Sequence, residues 1–257
     1  MKTRILATLV LCPFLLFSCH KDKKAPVDTD PEKLNPETNK VLHYSFNGSL
    51  NEISGNQLNP LDSNNIAYTA DRFGRPNMAV AMGGNNMNSH MLTPSLSSVI
   101  SGLPVSVSFW FKTSDVSQMQ CIAKSDGFER STYSGFTIYL SAWGEKRLSF
   151  SFADNSGRNY SLIVTPEAIT APDNWYHAVF CVRSATDYDF YLNGVKYNDC
   201  TVGGTVTTMV FNPPSVGILG MYDGVASSGL KGALDDYRVY NRSLTAAEVA
   251  ALYEFHP

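Results

Sequence analysis

The chain has 257 residues, 44% of them hydrophobic, with 20 basic against 23 acidic residues and a formal charge of −3. Nothing in that balance supplies the clustered basic face of a nucleic-acid binder, so that class of partner is excluded. Past residue 40, about 215 residues remain, the size of one large β domain able to bury roughly 70% of its unfolded surface.

Met1-Lys2-Thr3-Arg4 puts two cations ahead of an apolar run from Ile5 to Phe17. This is the layout of an export signal, and the run falls short of the ~20 residues that cross a bilayer as a helix. Leu16-Phe17-Ser18-Cys19 follows and resembles a bacterial lipobox, in which the cysteine is acylated and becomes the new N-terminus. Residues 1–18 are therefore expected to be a lipoprotein signal peptide, and Cys19 the lipidation site of an exported protein held at the cell envelope, at the outer membrane. Removing the signal takes away Lys2 and Arg4 and no acid, leaving 18 basic residues against 23 acidic and a formal charge of −5. Residues 19–40 are polar with hardly an apolar side chain, which predicts a disordered tether.

From residue 41 to 257 the texture changes to short runs of Val, Ile, Phe, Tyr and Thr broken by Gly, Asn, Asp, Ser and Pro, the spacing of an all-β sandwich. Strands are predicted near 41–46, 78–82, 105–112, 119–124, 135–141, 147–153, 160–165, 175–183, 188–192, 195–200, 215–220 and 232–240. In Val105-Ser106-Val107-Ser108-Phe109-Trp110-Phe111-Lys112 the odd positions form a core face and the even ones a semi-polar face with one Trp. Asn193-Gly194, between two strand-like runs, predicts a type I′ hairpin because both residues tolerate positive φ. Thr245-Ala246-Ala247-Glu248 fits a capping box with Leu244 and Val249 as its staple, so one short amphipathic helix is predicted to close the chain. Cys121, Cys181 and Cys200 are an odd set that fits one disulfide and one buried thiol in an oxidising compartment, without indicating which two pair.

Several segments together resemble the laminin-G-like, concanavalin A-like jelly-roll domains of secreted bacterial proteins. They are Phe46-Asn47-Gly48-Ser49-Leu50-Asn51-Glu52, Asp71-Arg72-Phe73-Gly74, Ser108 to Lys112, Trp175-Tyr176-His177, Tyr191 to Gly194, and Gly232 to Thr245. The resemblance implies a two-sheet antiparallel jelly-roll sandwich with one concave sheet. It implies function less tightly, since lectins, adhesion modules and glycosidases share the architecture.

Glycoside hydrolysis requires two carboxylates flanking the scissile bond, and relatives that cleave β-glucans carry Glu-x-Asp-x-x-Glu on one strand. That motif is absent, as are Gly-x-Ser-x-Gly, His-Glu-x-x-His and the phosphate-cradling Gly-x-x-x-x-Gly-Lys. Asp187 and Asp189 read as a solvated turn, His177 as a structural histidine, and Trp110 and Trp175 as core. Related domains often hold a structural Ca²⁺ between a loop near the first strand and the late Asp-Asp strand. Asp235, expected to alternate onto the face of Tyr237 and Val239, can meet such an ion with Asn47 and Asn51, or can pair with an arginine. The candidate ligand-binding residues are Asp126, Arg130, Tyr133, Trp143 and Tyr222, which offer aromatic platforms and polar partners for a sugar. The expected partner is a glycan or polysaccharide, bound without turnover. A glycoside hydrolase with a non-standard carboxylate pair and an adhesion module binding a surface protein are the alternatives.

Overall fold

The computed structural model describes residues 35–83, 89–126, 133–141, 146–157, 159–212, 216–221 and 229–256. The alternating runs become two antiparallel sheets, with strands numbered in chain order. The first contains β13 (Val195–Tyr197), β12 (Tyr188–Leu192), β11 (Tyr176–Val182), β6 (Val105–Thr113), β16 (Lys231–Tyr240), β4 (Ala79–Gly83) and β3 (Ala67–Thr69), in that order. β1 (Lys40–Tyr44) pairs with the late half of β16, on the flank that β4 shares. The second sheet runs β14 (Thr201–Gly204), β10 (Ser161–Val164), β9 (Leu148–Asp154), β8 (Ser134–Leu140), β7 (Gln120–Lys124), β15 (Gly217–Leu219), β5 (His90–Thr93) and β2 (Asp62–Asn64).

The odd positions of β6 enter the core between the sheets, and Phe136, Ile138, Phe150 and Phe152 answer from the second sheet. Phe150 of β9 meets Phe180 of β11 across the sandwich, ring centroids 5.4 Å apart. Each such buried aromatic removes enough apolar surface from water that truncation to Ala costs about 3–5 kcal/mol. The hairpin at Asn193-Gly194 forms as its sequence dictates, with φ of 50° and 76°.

Helix α1 (Ala246–Glu254) begins with the expected reciprocal cap between Thr245 and Glu248. Arg242 holds the Glu248 carboxylate through both terminal nitrogens, at 2.6 and 3.0 Å. Ser106, on the even face of β6, donates to the Arg242 carbonyl and accepts from the Leu244 N–H. The even face of β6 therefore seats the helix entry, and Leu244, Val249 and Leu252 pack on Val179, Cys181, Tyr191 and Tyr240.

Four strands escape the sequence pattern. β2 and β14 lie at sheet edges and are exposed throughout, β3 is an edge strand exposed at two of three positions, and β5 is four residues long, so none carries a readable alternation. Residues 35–40, inside the stretch expected to be disordered, already meet the domain. The Tyr240 hydroxyl donates to the Pro36 carbonyl at 2.8 Å, and Glu37 joins Lys40.

The face expected for Asp235 is corrected by a bulge. Asp236 takes φ 50°, the register slips between Asp235 and Arg238, and Asp235 lies opposite Trp110 on the outer face while Tyr237 turns into the core. An extra residue on one strand reverses the alternation beyond it. Trp175 is half-buried rather than core, with the Lys112 ammonium 5.3 Å from its ring. The expected disulfide is absent. Cys121 and Cys181 are buried and Cys200 half-buried, all as thiols. Cys181 lies under α1 on the first sheet, whereas Cys121 belongs to the second, and stacked sheets lie ~10 Å apart, beyond disulfide reach. A chain starting after Cys19, denatured without reductant and alkylated, is expected to take up three labels by intact mass.

Candidate functional site

A sandwich has two outer faces, and here they differ in kind. The outer face of the first sheet is closed by α1 and the C-terminal tail over a buried ionic cluster. The Asp71 carboxylate organises the loop before β4, accepting from the backbone N–H groups of Phe73 and Arg75 at 2.9 and 2.8 Å. That turn directs Arg72 inward, where its guanidinium donates to Asp235 at 2.8 Å, Asp236 at 3.2 Å and the Phe255 carbonyl at 2.9 Å. The same guanidinium lies over the Trp110 ring, 4.5 Å from its centroid. Asp236 also meets His43 at 3.1 Å and Arg238 at 3.0 Å.

The environments drive the two acids apart. Burial, reinforced by the Asp236 charge, pushes the Asp235 carboxyl up to about 8 against the pull of Arg72. Burial also opposes ionisation of Asp236, but the His43 hydrogen bond and the two arginines outweigh it and hold the group at about 2. His177 is fully buried against Trp110 and Tyr253, which also stack on each other, and its Nε2 bonds Ser108 Oγ at 2.9 Å. Burial, with Arg238 and Arg72 nearby, pushes its imidazole down to about 3. Perturbed acids of this kind also mark active sites, yet these are sealed: Asp235 and Asp236 are 2% and 1% exposed.

The outer face of the second sheet is different. Leu148, Phe150 and Phe152 of β9 point to the core, so Ser149, Ser151 and Ala153 point outward. Cross-strand pairing extends these into rows: Leu162, Ser151 and Thr137 form one, and Val164, Ser149 and Tyr139 another. The half nearer β14 is open, with Ser151, Leu162, Val164 and Tyr139 partly exposed, whereas Cys121, Lys124 and Ile218 on the other half are buried. At the end of the open half stand Tyr133 and Tyr160, rings 6.3 Å apart and within 20° of parallel, Tyr160 being 42% exposed. The Asp154 side chain holds the adjoining turn by accepting from the Ser156 N–H at 3.0 Å. Among the described residues the carboxylates beside the open half are Asp154 at its tyrosine end and Glu167, which meets Arg147, past the other. Glu129, Glu145 and Asp223 lie outside the described residues.

A family model described as the concanavalin A-like lectin/glucanases superfamily, of the laminin G type, matches residues 83–250. The chain belongs to this family. Among solved structures, domain 4 of an extracellular arabinanase from Geobacillus stearothermophilus, in complex with arabinotriose, shares 19% identity at TM-score 0.61. The alignment covers 84% of this chain and 98% of that one. The binding domain of Paraclostridial Mosquitocidal Protein 1 shares 18% identity at TM-score 0.64, with 85% of this chain and 52% of that chain covered. The binding domain of botulinum neurotoxin DC, in complex with rat synaptotagmin II, shares 14% at TM-score 0.58, again over 85% of this chain and 52% of that one. This family member thus spans about half the length of the toxin binding domains. No curated protein sequence matches it.

Within this concanavalin A-like domain the proposed ligand residues separate. Arg130, Trp143 and Tyr222 lie outside the described residues. Asp126 is fully buried, its Oδ2 accepting from the Asn212 N–H at 2.5 Å, so it pins the segment after β14 and is not a surface contact. Tyr133 does face the open half. Lys124 pairs with Thr137 and Gln120 with Leu140, so Ser134, next to Tyr133, lies roughly 20 Å along β8 from the Gln120–Leu140 end. Asp235 pairs with Arg72 through Oδ2, while its buried Oδ1 makes no hydrogen bond. Among the described residues no group of three His, Cys, Asp or Glu side chains is placed to hold a metal ion. Tyr160 and the Ser/Thr rows were missed by motif reading, although the Leu-Ser-Phe-Ser-Phe alternation of β9 contains the signal.

The buried imidazole sets a pH dependence. An unfolded His177 takes a proton below its ordinary value of 6.5, and the folded one only near 3. Unfolding therefore takes up a proton between those values, and the stability present above 6.5 is lost as pH falls toward 3. This contributes a slope of up to about 1.4 kcal/mol per pH unit. In urea titrations from pH 7 to 4, His177→Gln should show a shallower loss of stability than the parent.

Proposed function

We propose that this protein is exported, anchored to the cell envelope through acylated Cys19, and binds carbohydrate on the open half of its second sheet without turning it over. The observation that carries the reading is the Tyr133–Tyr160 pair at the end of a face whose partly exposed side chains are Tyr139, Ser151, Leu162 and Val164, while the opposite face is closed by α1. Sugar rings present apolar C–H faces and a rim of hydroxyls. An aromatic surface flanked by Ser and Tyr answers both, the ring removing the apolar face from water and the hydroxyls donating and accepting at the rim. Two-carboxylate hydrolysis finds no pair among the described residues of that half. The arabinotriose held by the arabinanase domain supports the same direction.

Protein binding is the second reading, favoured by the edge strand β14. Thr201–Gly204 are exposed and carry neither charge nor proline, the devices that usually blunt an edge against strand addition.

Tyr160→Ala is expected to weaken retention on an immobilised polysaccharide panel by about tenfold, with thermal stability unchanged because the side chain is largely exposed. Unchanged retention would remove the site. Separately, Cys19→Ala should move the protein from the membrane fraction to the soluble exported fraction and abolish labelling by a fatty-acid probe.

A further inference from the structure

We infer that the ligand is an uncharged, extended oligosaccharide lying along β9 and β10, from the tyrosine pair past Ser151 and Leu162 toward Tyr139 and Val164, rather than a single terminal sugar. This rests on the reading that the open half binds carbohydrate. Three observations carry it.

The first is length. The outward positions Tyr160, Leu162 and Val164, on β10 and the residue before it, are all exposed or partly exposed, and at ~3.4 Å per residue they span about 14 Å, more than twice the width of one sugar ring. The second is its charge. The partly exposed members of the rows across β8, β9 and β10 are Tyr139, Ser151, Leu162 and Val164, all uncharged, whereas Thr137 and Ser149 are buried. Among the described residues the ionised side chain flanking the tyrosine end is Asp154, which is exposed and held below its ordinary carboxylate value by the Ser156 hydroxyl and N–H, while the Arg147 cation at the other end is paired with Glu167 at 3.8 Å. A fixed negative charge at the tyrosine end repels uronates and sulfated sugars. The third is the shape of its margin. Leu162 faces Gly203 across the β10–β14 pair, so Gly203 belongs to the same outer row. A Cβ on Gly203 would meet nothing within 4 Å, so the margin is flat and unobstructed. Its neighbour Gly204 differs: it has φ 95°, and a Cβ there would strike the Tyr160 carbonyl at 2.2 Å. The freedom at Gly203 makes it a place to add bulk over the strip without straining the fold.

The test is calorimetric titration of the full-length protein with linear neutral oligosaccharides from one sugar unit to six, drawn from glucan, xylan, mannan and arabinan, and with oligogalacturonate as the acidic probe. Affinity is expected to rise at least about tenfold between one unit and four. It should be insensitive to added salt. Gly203→Trp should lower affinity for the tetrasaccharide by about tenfold with an unchanged melting temperature. Equal affinity for one unit and four, a preference for oligogalacturonate, or undiminished binding by Gly203→Trp would overturn the extended neutral ligand. If Tyr160→Ala still abolishes binding in that case, the carbohydrate site stands and only its extension falls. Binding that Tyr160→Ala leaves intact, or no binding to any member of the panel, would remove both.

Discussion

The guanidinium of Arg72 joins three parts of the chain that are distant in sequence: the loop before β4, the Asp235-Asp236 bulge on β16, and the carbonyl of Phe255 beyond α1. It does so against the face of Trp110, at 4% side-chain exposure. A buried charge of this kind is tolerated only while its partners remain, and removing one partner of a buried pair costs about 3–5 kcal/mol. The geometry of the bulge, the seating of the tail and the burial of His177 beneath Tyr253 all depend on that arrangement. It closes the outer face of the first sheet, whereas among the described residues the half of the second sheet nearer β14 stays partly exposed.

The sequence and the structure agree where local chemistry is strong. The alternation of β6, the Asn193-Gly194 turn and the Thr245–Glu248 cap are each specified by residues adjacent in the chain, and each forms as expected. They diverge where a tertiary partner decides the outcome. Asp236 accepts a positive φ that an aspartate tolerates better than most residues, and nothing adjacent announces it. The resulting bulge turns Asp235 away from the core and toward Arg72, more than 160 positions earlier in the chain. The edge strands β2, β3 and β14 pair on one side only and carry little apolar pattern. Asp126 looked like a loop carboxylate, yet it is consumed in holding Asn212, a contact across 86 positions.

The candidate site was legible in outline and not in membership. Tyr133 could be nominated from composition, whereas Tyr160 becomes meaningful only once β8, β9 and β10 are paired and the two rings meet. The same pairing turns scattered serines and threonines into rows and gives Gly203 a position on their margin. Membership in the concanavalin A-like superfamily fixes the sandwich and leaves the ligand open. The first sheet's outer face is sealed by charge and aromatics, whereas the half of the second sheet nearer β14 is left partly exposed.

The division between the two faces is tested most directly by amide chemical-shift mapping of the ¹⁵N-labelled protein during titration with a neutral tetrasaccharide. Perturbations are expected at Tyr133, Thr137, Ser151, Tyr160, Leu162 and Gly203, with the amides of α1 and of Trp110 and Asp235 undisturbed. Perturbations concentrated on α1 and the Arg72 cluster, with the β8–β10 amides silent, would contradict the assignment of the open face as the binding surface.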